Sequence, residues 1–293
     1  MEFHQQHIII TGGSSGIGKA VACLFAREGA NLTIIARDPA KLEAAKAEIE
    51  APGLARGQRV YTISADVADE AQAAQAIDQA VAELGPPDIL INSAGYAQPG
   101  HFLELPSSVF RQTMDINFFG SLYPTQAAVA HMAGRGRGHI VFISSGAALL
   151  GIYGYTAYTP SKIALRGFAE SLRAELKPLG IVVSIVYPPD TQTPQLDYEN
   201  QTKPEETRRI VHDPLLGAGP VWKAEDVARV ILRGIKKQRF SIAPGWQMTL
   251  MVYAGSILAP LLNWWYDRIV VKVRRERRAH ERATGRTPDD ITG

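Results

Sequence analysis

The feature that most restricts the fold of this sequence is a regular alternation between short apolar runs and longer helix-forming segments. The apolar runs are rich in Ile and Val and nearly continuous, which is typical of strands covered on both faces. The segments 40–50 and 70–84 are rich in Ala, Glu, Lys and Gln, and Asp38 and Asp69 precede them as N-caps. This alternation predicts an α/β fold built on a doubly wound parallel sheet. The predicted strands are 7–11, 32–36, 60–64, 89–92, 139–144 and 181–187.

The chain divides into a sheet-forming domain, 1–243, and a carboxyl-terminal part, 244–293, with an apolar segment and a basic tail. A helix near 223–237 and a short strand near 240–243 complete the predicted sheet. Residues 188–220 hold six prolines and many polar residues. This segment is longer than an ordinary connector between two elements. We expect this segment to cover a substrate; the alternative is a simple surface excursion.

Composition excludes several classes of protein. Lys plus Arg is 31 and Asp plus Glu is 29, and the resulting net charge of +2 argues against a dedicated nucleic-acid binder. The single cysteine, Cys23, excludes an internal disulfide framework and a cysteine zinc site. The histidines form no HExxH pair, so no metal site is expected.

An uncharged run of 26 residues, 241–266, follows the sheet-forming part and precedes a cluster of arginines and lysines. A membrane-spanning helix needs about 20 residues, and Trp264 and Trp265 beside basic residues are typical of a membrane interface. We therefore expect membrane contact by a spanning or a surface helix. A hydrophobic helix that packs on the domain or on a second subunit is the alternative. The first ten residues lack the features of a signal peptide, so no amino-terminal anchor is expected.

A glycine-rich turn follows the first predicted strand and precedes a helix. Gly12, Gly16 and Gly18 give the spacing GxxxGxG, and Ser14, Ser15 and Ile17 lie in the same turn. Glycines allow backbone N–H groups to approach a pyrophosphate, and the helix presents its positive end to the same anion. A nucleoside-triphosphate loop would need Ser or Thr where this sequence has Ala20. The turn therefore predicts a dinucleotide site.

Basic residues at the end of the second strand favour the phosphorylated cofactor, NADP(H). Arg37 stands where a carboxylate would bind a ribose 2′-hydroxyl, and a guanidinium suits a 2′-phosphate. Lys41 opposes the dipole of the next helix unless it has an anionic partner, and Lys19 offers further positive charge. Asp66, after the third strand, is expected to accept a hydrogen bond from the adenine amino group.

Four residues predict carbonyl–alcohol chemistry. Tyr158 and Lys162 are four apart and share a helix face, so the ammonium is expected to lower the phenol pKa. Ser145 ends a strand and is predicted to hold the carbonyl oxygen; Ser144 is its neighbour, and only one of the two is expected to face the site. Asn117 lies in a helical stretch, where it costs stability unless its amide has a function.

These residues together resemble the short-chain dehydrogenase/reductase family over about residues 7–243. The resemblance rests on TGGSSGIG, Asp66, NSAG, Asn117, Ser145 and YTPSK. It implies a Rossmann fold, a catalytic tetrad of Asn117, Ser145, Tyr158 and Lys162, and a homodimer or homotetramer. It also implies cofactor contacts from the two tetrad members Tyr158 and Lys162 and from Val67, Asn92, Ala94, Gly95, Pro188 and Thr191. Ser93 departs from the family's usual Asn.

A second set of residues resembles one branch of this family. It comprises 187–194, 199–204, 206–208, 120–124 and 166–170. The branch reduces the 3-keto group of a long-chain amino ketone in sphingolipid synthesis, with NADPH. This implies a membrane-associated enzyme with its catalytic domain in the cytosol, on the endoplasmic reticulum of a eukaryote or the inner membrane of a bacterium. The rivals are a reductase of a steroid, retinoid or acyl-carrier ketone, and a non-catalytic NADP(H)-binding scaffold or redox sensor.

Overall fold

The computed structural model describes residues 3–213, 217 and 219–284. Its strands are β1 (His7–Thr11), β2 (Asn31–Ala36), β3 (Val60–Ser64), β4 (Ile89–Asn92), β5 (Gly138–Ile143), β6 (Ile181–Val186), β7 (Thr191–Gln192), β8 (Trp222–Lys223) and β9 (Ser241–Ile242). Seven of them form one parallel sheet in the order β3-β2-β1-β4-β5-β6-β9, while β7 and β8 pair separately. The doubly wound sheet predicted from the sequence is confirmed, and the predicted strand ends lie within one residue of those observed.

Ten α-helices lie in the described part of the chain. They are α1 (Gly16–Arg27), α2 (Pro39–Glu50), α3 (Glu70–Leu84), α4 (Ser107–Met114), α5 (Gly120–Ala133), α6 (Tyr158–Leu176), α7 (Pro194–Thr202), α8 (Glu205–Val211), α9 (Ala224–Lys236) and α10 (Gly245–Thr284). The predicted caps are confirmed: Asp38 accepts from the backbone N–H of Lys41, and Asp69 accepts from that of Gln72. These bonds fix where α2 and α3 begin.

The helices cover both faces of the sheet. On one face α1, α2 and α9 contribute buried side chains such as Phe25, Leu42 and Ile231. On the other face α3, α5 and α6 contribute Ile77, Leu165 and others. Because every strand is parallel, all carboxyl ends lie at one edge, where ligands bind in such sheets.

The carboxyl-terminal third crosses this edge. The predicted covering segment folds into β7, α7 and α8, with 214–216 and 218 outside the described residues. Helix α10 follows β9 and packs on α8, where Arg274 Nε lies 3.7 Å from Glu206 Oε1 and Arg209 Nη2 lies 3.3 Å from Glu276 Oε2. By length and composition, α10 is able to cross a membrane over Gly245–Ala279. The end of the predicted basic tail, 285–293, lies outside the described residues.

Candidate active site

A cleft of about 660 Å³ opens at the carboxyl ends of the strands. It extends from the β1–α1 loop, past the connection between β5 and α6, to the inner face of α10. One end is therefore lined by the predicted dinucleotide residues and the other by the substrate-covering segment.

The β1–α1 loop is built for close approach of an anion. Gly12 has φ +66° and Gly16 has φ +53°, conformations that favour glycine. A Cβ at Gly12 would lie 2.7 Å from the backbone N of Ala94, and one at Gly18 would overlap the carbonyl oxygen of Gly12. Ser15 makes no side-chain cap and the first turn of α1 holds no acidic residue, so its N–H groups suit an anion. The loop residues Ser14, Ser15 and Ile17 line the cleft as well. The loop thus fits a pyrophosphate.

The residues after β2 form the basic part of the cleft. Arg37 and Lys41 both line it, together with Asp38. The Asp38 carboxylate caps α2 and also lies 3.8 Å from Lys41 Nζ, which partly offsets that cation. Lys19 does not line the cleft, because its Nζ pairs with Glu48 Oε2 at 2.6 Å. Arg37 is therefore the strongest candidate for a 2′-phosphate.

Two further strand ends shape this half of the cleft. Asp66 lines it beside Val67, and its Oδ1 accepts a hydrogen bond of 3.0 Å from the N–H of Ala68. Ala94 and Gly95 line it after β4. Asn92 does not: it is buried behind the cleft, and its Nδ2 donates to Thr125 Oγ1 at 3.0 Å. The predicted cofactor contact of Asn92 is therefore not supported; the residue ties β4 to α5 instead.

Asn117 lies in a π-helical turn, Asp115–Phe119, between α4 and α5. It is fully buried, and its Nδ2 donates to Tyr96 O and to Ser161 Oγ, each at 2.9 Å. Its Oδ1 accepts from Tyr96 N at 2.8 Å. Both amide hydrogens are used, so the side chain clamps the loop after β4 to α6. Such π turns often occur at functional sites.

The two serines after β5 point in different directions. Ser144 is buried and its Oγ donates to the carbonyl oxygen of Lys162 at 3.3 Å. Ser145 Oγ accepts from Ala147 N at 3.1 Å, and its hydroxyl hydrogen-bonds Tyr158. Of the two, Ser145 is the one beside the Tyr158 phenol.

Tyr158 opens α6 and lines the cleft, with Lys162 one turn behind it. Lys162 is buried; its Nζ donates to Ile143 O at 3.0 Å and lies 5.7 Å from the Tyr158 ring centroid. Burial lowers the pKa of Lys162 to about 8, partly opposed by Glu199. Burial and the charge of Glu199 raise the pKa of Tyr158, whereas its bond with Ser145 lowers it. Burial and the charge of Glu199 outweigh the bond with Ser145, so the phenol pKa is raised in this structure, and the effect of Lys162 on it stays a prediction.

The segment after β6 joins the dinucleotide half to the substrate half. Pro188 lines the cleft and its carbonyl oxygen accepts from Gly146 N at 3.1 Å. Thr191 is buried and donates to Pro189 O at 2.7 Å. Both predicted contact residues thus border the site, Pro188 held by a backbone hydrogen bond and Thr191 by its side-chain hydroxyl.

Three residues of the substrate half were not predicted: Tyr155, Asp190 and Glu199. Tyr155 donates to Glu199 Oε2 at 2.6 Å, and its ring lies 5.7 Å from the Tyr158 ring. Gln195 Nε2 donates to Glu199 Oε1 at 3.1 Å. All of them line the cleft. Asp190 and Glu199 lie in the segment 188–220, which the sequence indicated as a cover only by its proline content and its family resemblance. Neither feature reveals which carboxylate is buried.

Helix α10 closes the far side of the cleft. Met248 approaches the catalytic loop so closely that a Cβ at Gly146 would lie 3.1 Å from its Sδ. The residues of α10 that line the cleft are Trp246, Gln247, Met248, Leu250, Met251, Leu258, Leu261, Leu262 and Tyr266. The opposite face is also apolar but exposed, at Tyr253, Ile257 and Trp264 among others. The uncharged run is therefore apolar on two faces, and one of them belongs to the site.

A family model described as short chain dehydrogenase matches residues 6–204. The chain belongs to the short-chain dehydrogenase/reductase family. It is an oxidoreductase, and its cofactor is a nicotinamide dinucleotide.

Relatives within the short-chain dehydrogenase/reductase family cover most of the chain. The 3-ketodihydrosphingosine reductase of Bos taurus is 45% identical over 240 residues, which is 82% of this chain and 71% of that protein. The 3-ketodihydrosphingosine reductase of Dictyostelium discoideum is 37% identical over 284 residues, 92% of this chain and 84% of that protein. Both alignments extend beyond the part that the general family model matches.

Solved structures support the same fold. Levodione reductase superimposes with a TM-score of 0.75 at 25% identity, covering 84% of this chain and 99% of that one. A short-chain dehydrogenase/reductase from Burkholderia phymatum in complex with NAD gives a TM-score of 0.74 at 25% identity, covering 86% and 93%.

Proposed function

We propose that this protein reduces the 3-keto group of 3-ketodihydrosphingosine to the alcohol of dihydrosphingosine, with NADPH, in sphingolipid synthesis. The observation that carries the proposal is the cleft itself. Tyr158 and Ser145 face it beside the dinucleotide half, and its far wall is an apolar helix. The relatives of 45% and 37% identity named above are reductases of this ketone.

Three residues of the site have separate roles in the reduction. A reduced nicotinamide, when bound, supplies hydride to the carbonyl carbon. Tyr158 donates its phenolic proton to the carbonyl oxygen, on which negative charge develops, and Ser145 donates a hydrogen bond to the same oxygen. A phenol is protonated at neutral pH, so Tyr158 carries the proton that it donates. The Lys162 ammonium stabilises the phenolate that remains.

Asn117 supports the return of a proton to Tyr158. A Cβ at Gly95 would lie 3.5 Å from Asn117 Oδ1 and 3.7 Å from Lys162 Nζ, so the two polar groups flank one glycine. We infer that Asn117 positions a water beside Lys162, and that protons reach the phenolate through this pair. The clamp on Tyr96 and Ser161 keeps the two groups in place.

The preference for NADPH rests on Arg37. Its guanidinium lines the cleft at the end of β2, where no carboxylate precedes it. The guanidinium fork matches a 2′-phosphate, which the non-phosphorylated cofactor lacks.

Membrane association rests on the outer face of α10. Tyr253 is 78% exposed and Ile257 is 81% exposed, while Leu262 on the inner face is only 8% exposed. Spanning a bilayer would pull the inner face out of the cleft, so we propose that α10 lies along the membrane surface. Basic residues such as Arg268 and Lys272 follow, and they suit anionic head groups. The catalytic domain then lies in the cytosol, at the endoplasmic reticulum of a eukaryote or the inner membrane of a bacterium.

Pairing of two chains is proposed through α5 and α6, as in other family members. Phe119, directly before α5, stacks on Tyr123 of α5, both are partly exposed, and Ile163 on α6 is 49% exposed. Sedimentation equilibrium in detergent would separate a dimer or tetramer from a monomer.

The deciding experiment uses the purified full-length chain in detergent micelles. NADPH oxidation and dihydrosphingosine formation are followed with 3-ketodihydrosphingosine, and a steroid, a retinoid and an acyl-carrier 3-ketone serve as rivals. We expect turnover of the amino ketone to exceed that of every rival. Higher turnover of a rival would assign the cleft to that ketone, and NADPH binding without any turnover would favour a scaffold or a sensor.

A further inference from the structure

The substrate half of the cleft contains a buried carboxylate that the reduction itself does not use. Glu199 is 9% exposed and lines the cleft from α7. Its hydrogen-bond partners, Tyr155 and Gln195, are both neutral. Burying an ionised carboxylate without a cation is costly. The position therefore calls for a positive charge that the described residues around the carboxylate do not supply directly.

The neighbouring charges strengthen this point. Away from the dinucleotide end, the charged side chains among the described cleft residues are Glu199 and Asp190, both acidic. Asp190 has its own cation, because Lys203 Nζ lies 3.8 Å from Asp190 Oδ2 and is buried. Lys203 also lowers the pKa of Glu199, but burial, the largest effect, raises it. Among the described residues no ion pair includes Glu199, so its carboxyl group remains available to a cationic ligand.

The carboxylate lies close to where the ketone reacts. The Tyr155 hydroxyl bonds to Glu199 at 2.6 Å, and the Tyr155 ring packs 5.7 Å from the ring of Tyr158. The charge of Glu199 is felt at both Tyr158 and Lys162. A carboxylate has lone pairs for more than the two donors it already binds. A cationic group next to a carbonyl held at Tyr158 would meet this carboxylate.

We propose that Glu199 binds the ammonium group of the substrate and thereby selects 2-amino ketones over plain ketones. This rests on the proposed function, in which the amino group is attached to the carbon next to the reacting carbonyl. The ion pair places that carbonyl at Tyr158 and Ser145 independently of the alkyl chain. Asp190 and Lys203 hold the base of α7, and Tyr155 orients the carboxylate.

The test compares Glu199→Gln with the wild type on two ketones that differ in one group. They are 3-ketodihydrosphingosine and its 2-deamino analogue, in micelles of the same composition. We expect Glu199→Gln to lower kcat/KM for the amino ketone by about 10- to 100-fold. This ratio corresponds to the free energy of one hydrogen bond to a charged group. Turnover of the deamino analogue should stay within about threefold, because Gln keeps the volume of the side chain and an oxygen that accepts from Tyr155. Asp197→Asn, an exposed acid on the same helix, is the matched control.

The outcomes separate the two proposals. A wild type that reduces neither ketone would contradict the proposed function. A wild type without preference for the amino ketone, or a Glu199→Gln variant that keeps the preference, would overturn ammonium binding alone. Equal loss on both ketones would also overturn it, because Glu199 would then serve only to anchor α7 on Tyr155. NADPH binding, measured in parallel, reports whether the variant is folded.

Discussion

The two walls of the cleft are built in different ways. The dinucleotide wall consists of turns at strand ends, where glycines bring backbone against backbone: Gly12 meets Ala94, and Gly18 meets Gly12. The substrate wall consists of side chains from α7 and α8, which are consecutive in the sequence, and from α10, which follows β9. Two ion pairs connect α10 to α8: Arg274 with Glu206, and Arg209 with Glu276. Of these four side chains Glu206 is buried and the other three are exposed.

This difference predicts where change is tolerated. A backbone-built wall has little freedom, because an added Cβ collides with main-chain atoms that cannot move alone. A wall of apolar side chains can be repacked at modest cost while its volume is kept. We therefore expect substitutions in the dinucleotide wall to affect every substrate, and substitutions in the substrate wall to alter which ketone or membrane is bound.

The largest effect is expected where the two walls meet. Tyr158→Phe removes the proton donor but keeps the ring, so turnover should fall by about 10²- to 10⁴-fold. NADPH binding should change little, because the β1–α1 loop is untouched. Steady-state kinetics and fluorescence titration of NADPH measure the two properties separately.

Tyr61→Phe is the matched control, since it removes a phenol hydroxyl that accepts from Gln79 on the outer side of the sheet. Its activity should remain near that of the wild type. If Tyr158→Phe kept a substantial part of the activity, another group would have to protonate the carbonyl oxygen.

The second prediction isolates the dinucleotide wall. Arg37→Ala should weaken NADPH binding by about 10- to 100-fold, because a charge-assisted hydrogen bond to phosphate is lost. Binding of NADH should be nearly unchanged, so the two cofactors approach equal affinity. Arg56→Ala, at an exposed arginine of the β2–β3 connection, provides the control. Equal weakening of NADH binding would show that Arg37 supports the loop rather than the 2′-phosphate.

The dinucleotide wall was largely predictable from the sequence, because its signals are local. The strand, the glycine turn and the helix are consecutive, and Arg37 and Asp66 follow strands whose parallel arrangement brings their ends together. Asn92 was the exception. Its place at a strand end was predicted correctly, but which way its side chain points depends on Thr125, 33 residues further on.

The substrate wall was predictable only as a segment. Proline content and length indicated a cover over the site, but Glu199 and Tyr155 meet only after the chain has folded, 44 residues apart. The same holds for α10. Its uncharged sequence was compatible with a bilayer or with the domain, and the periodicity alone could not reveal that Met248 and Met251 face the cleft. Raised phenol pKa values likewise follow from burial in three dimensions.

The third prediction concerns the outer face of the substrate wall. Ile257→Ser should weaken binding of the chain to anionic lipid vesicles by about 10-fold, because one apolar side chain no longer enters the membrane. Reduction of a short, water-soluble 2-amino ketone should be unaffected, since Ile257 does not line the cleft. Leu179→Ser, at an exposed leucine between α6 and β6, should leave vesicle sedimentation unchanged. Identical binding of both variants would exclude this face of α10 as the membrane contact.

The smallest effect is expected in the sheet beneath the dinucleotide wall. Burial lowers the pKa of His7 and of His139 from 6.5 to about 4. The folded state therefore binds fewer protons than the unfolded chain between these values, and stability is lost as the pH falls from 6.5 towards 4. Each histidine should cost about 1 kcal/mol between pH 6.5 and pH 5.5.

Urea unfolding of His139→Gln at both pH values measures this cost for one residue. Its Nε2 lies 2.7 Å from Ser184 Oγ, so the variant has a lower absolute stability, but the decisive quantity is the change with pH. That change should be smaller than in the wild type by about 1 kcal/mol. If His139→Gln kept the full acid sensitivity, the protons that destabilise the fold would have to bind at His7 or at groups outside the sheet.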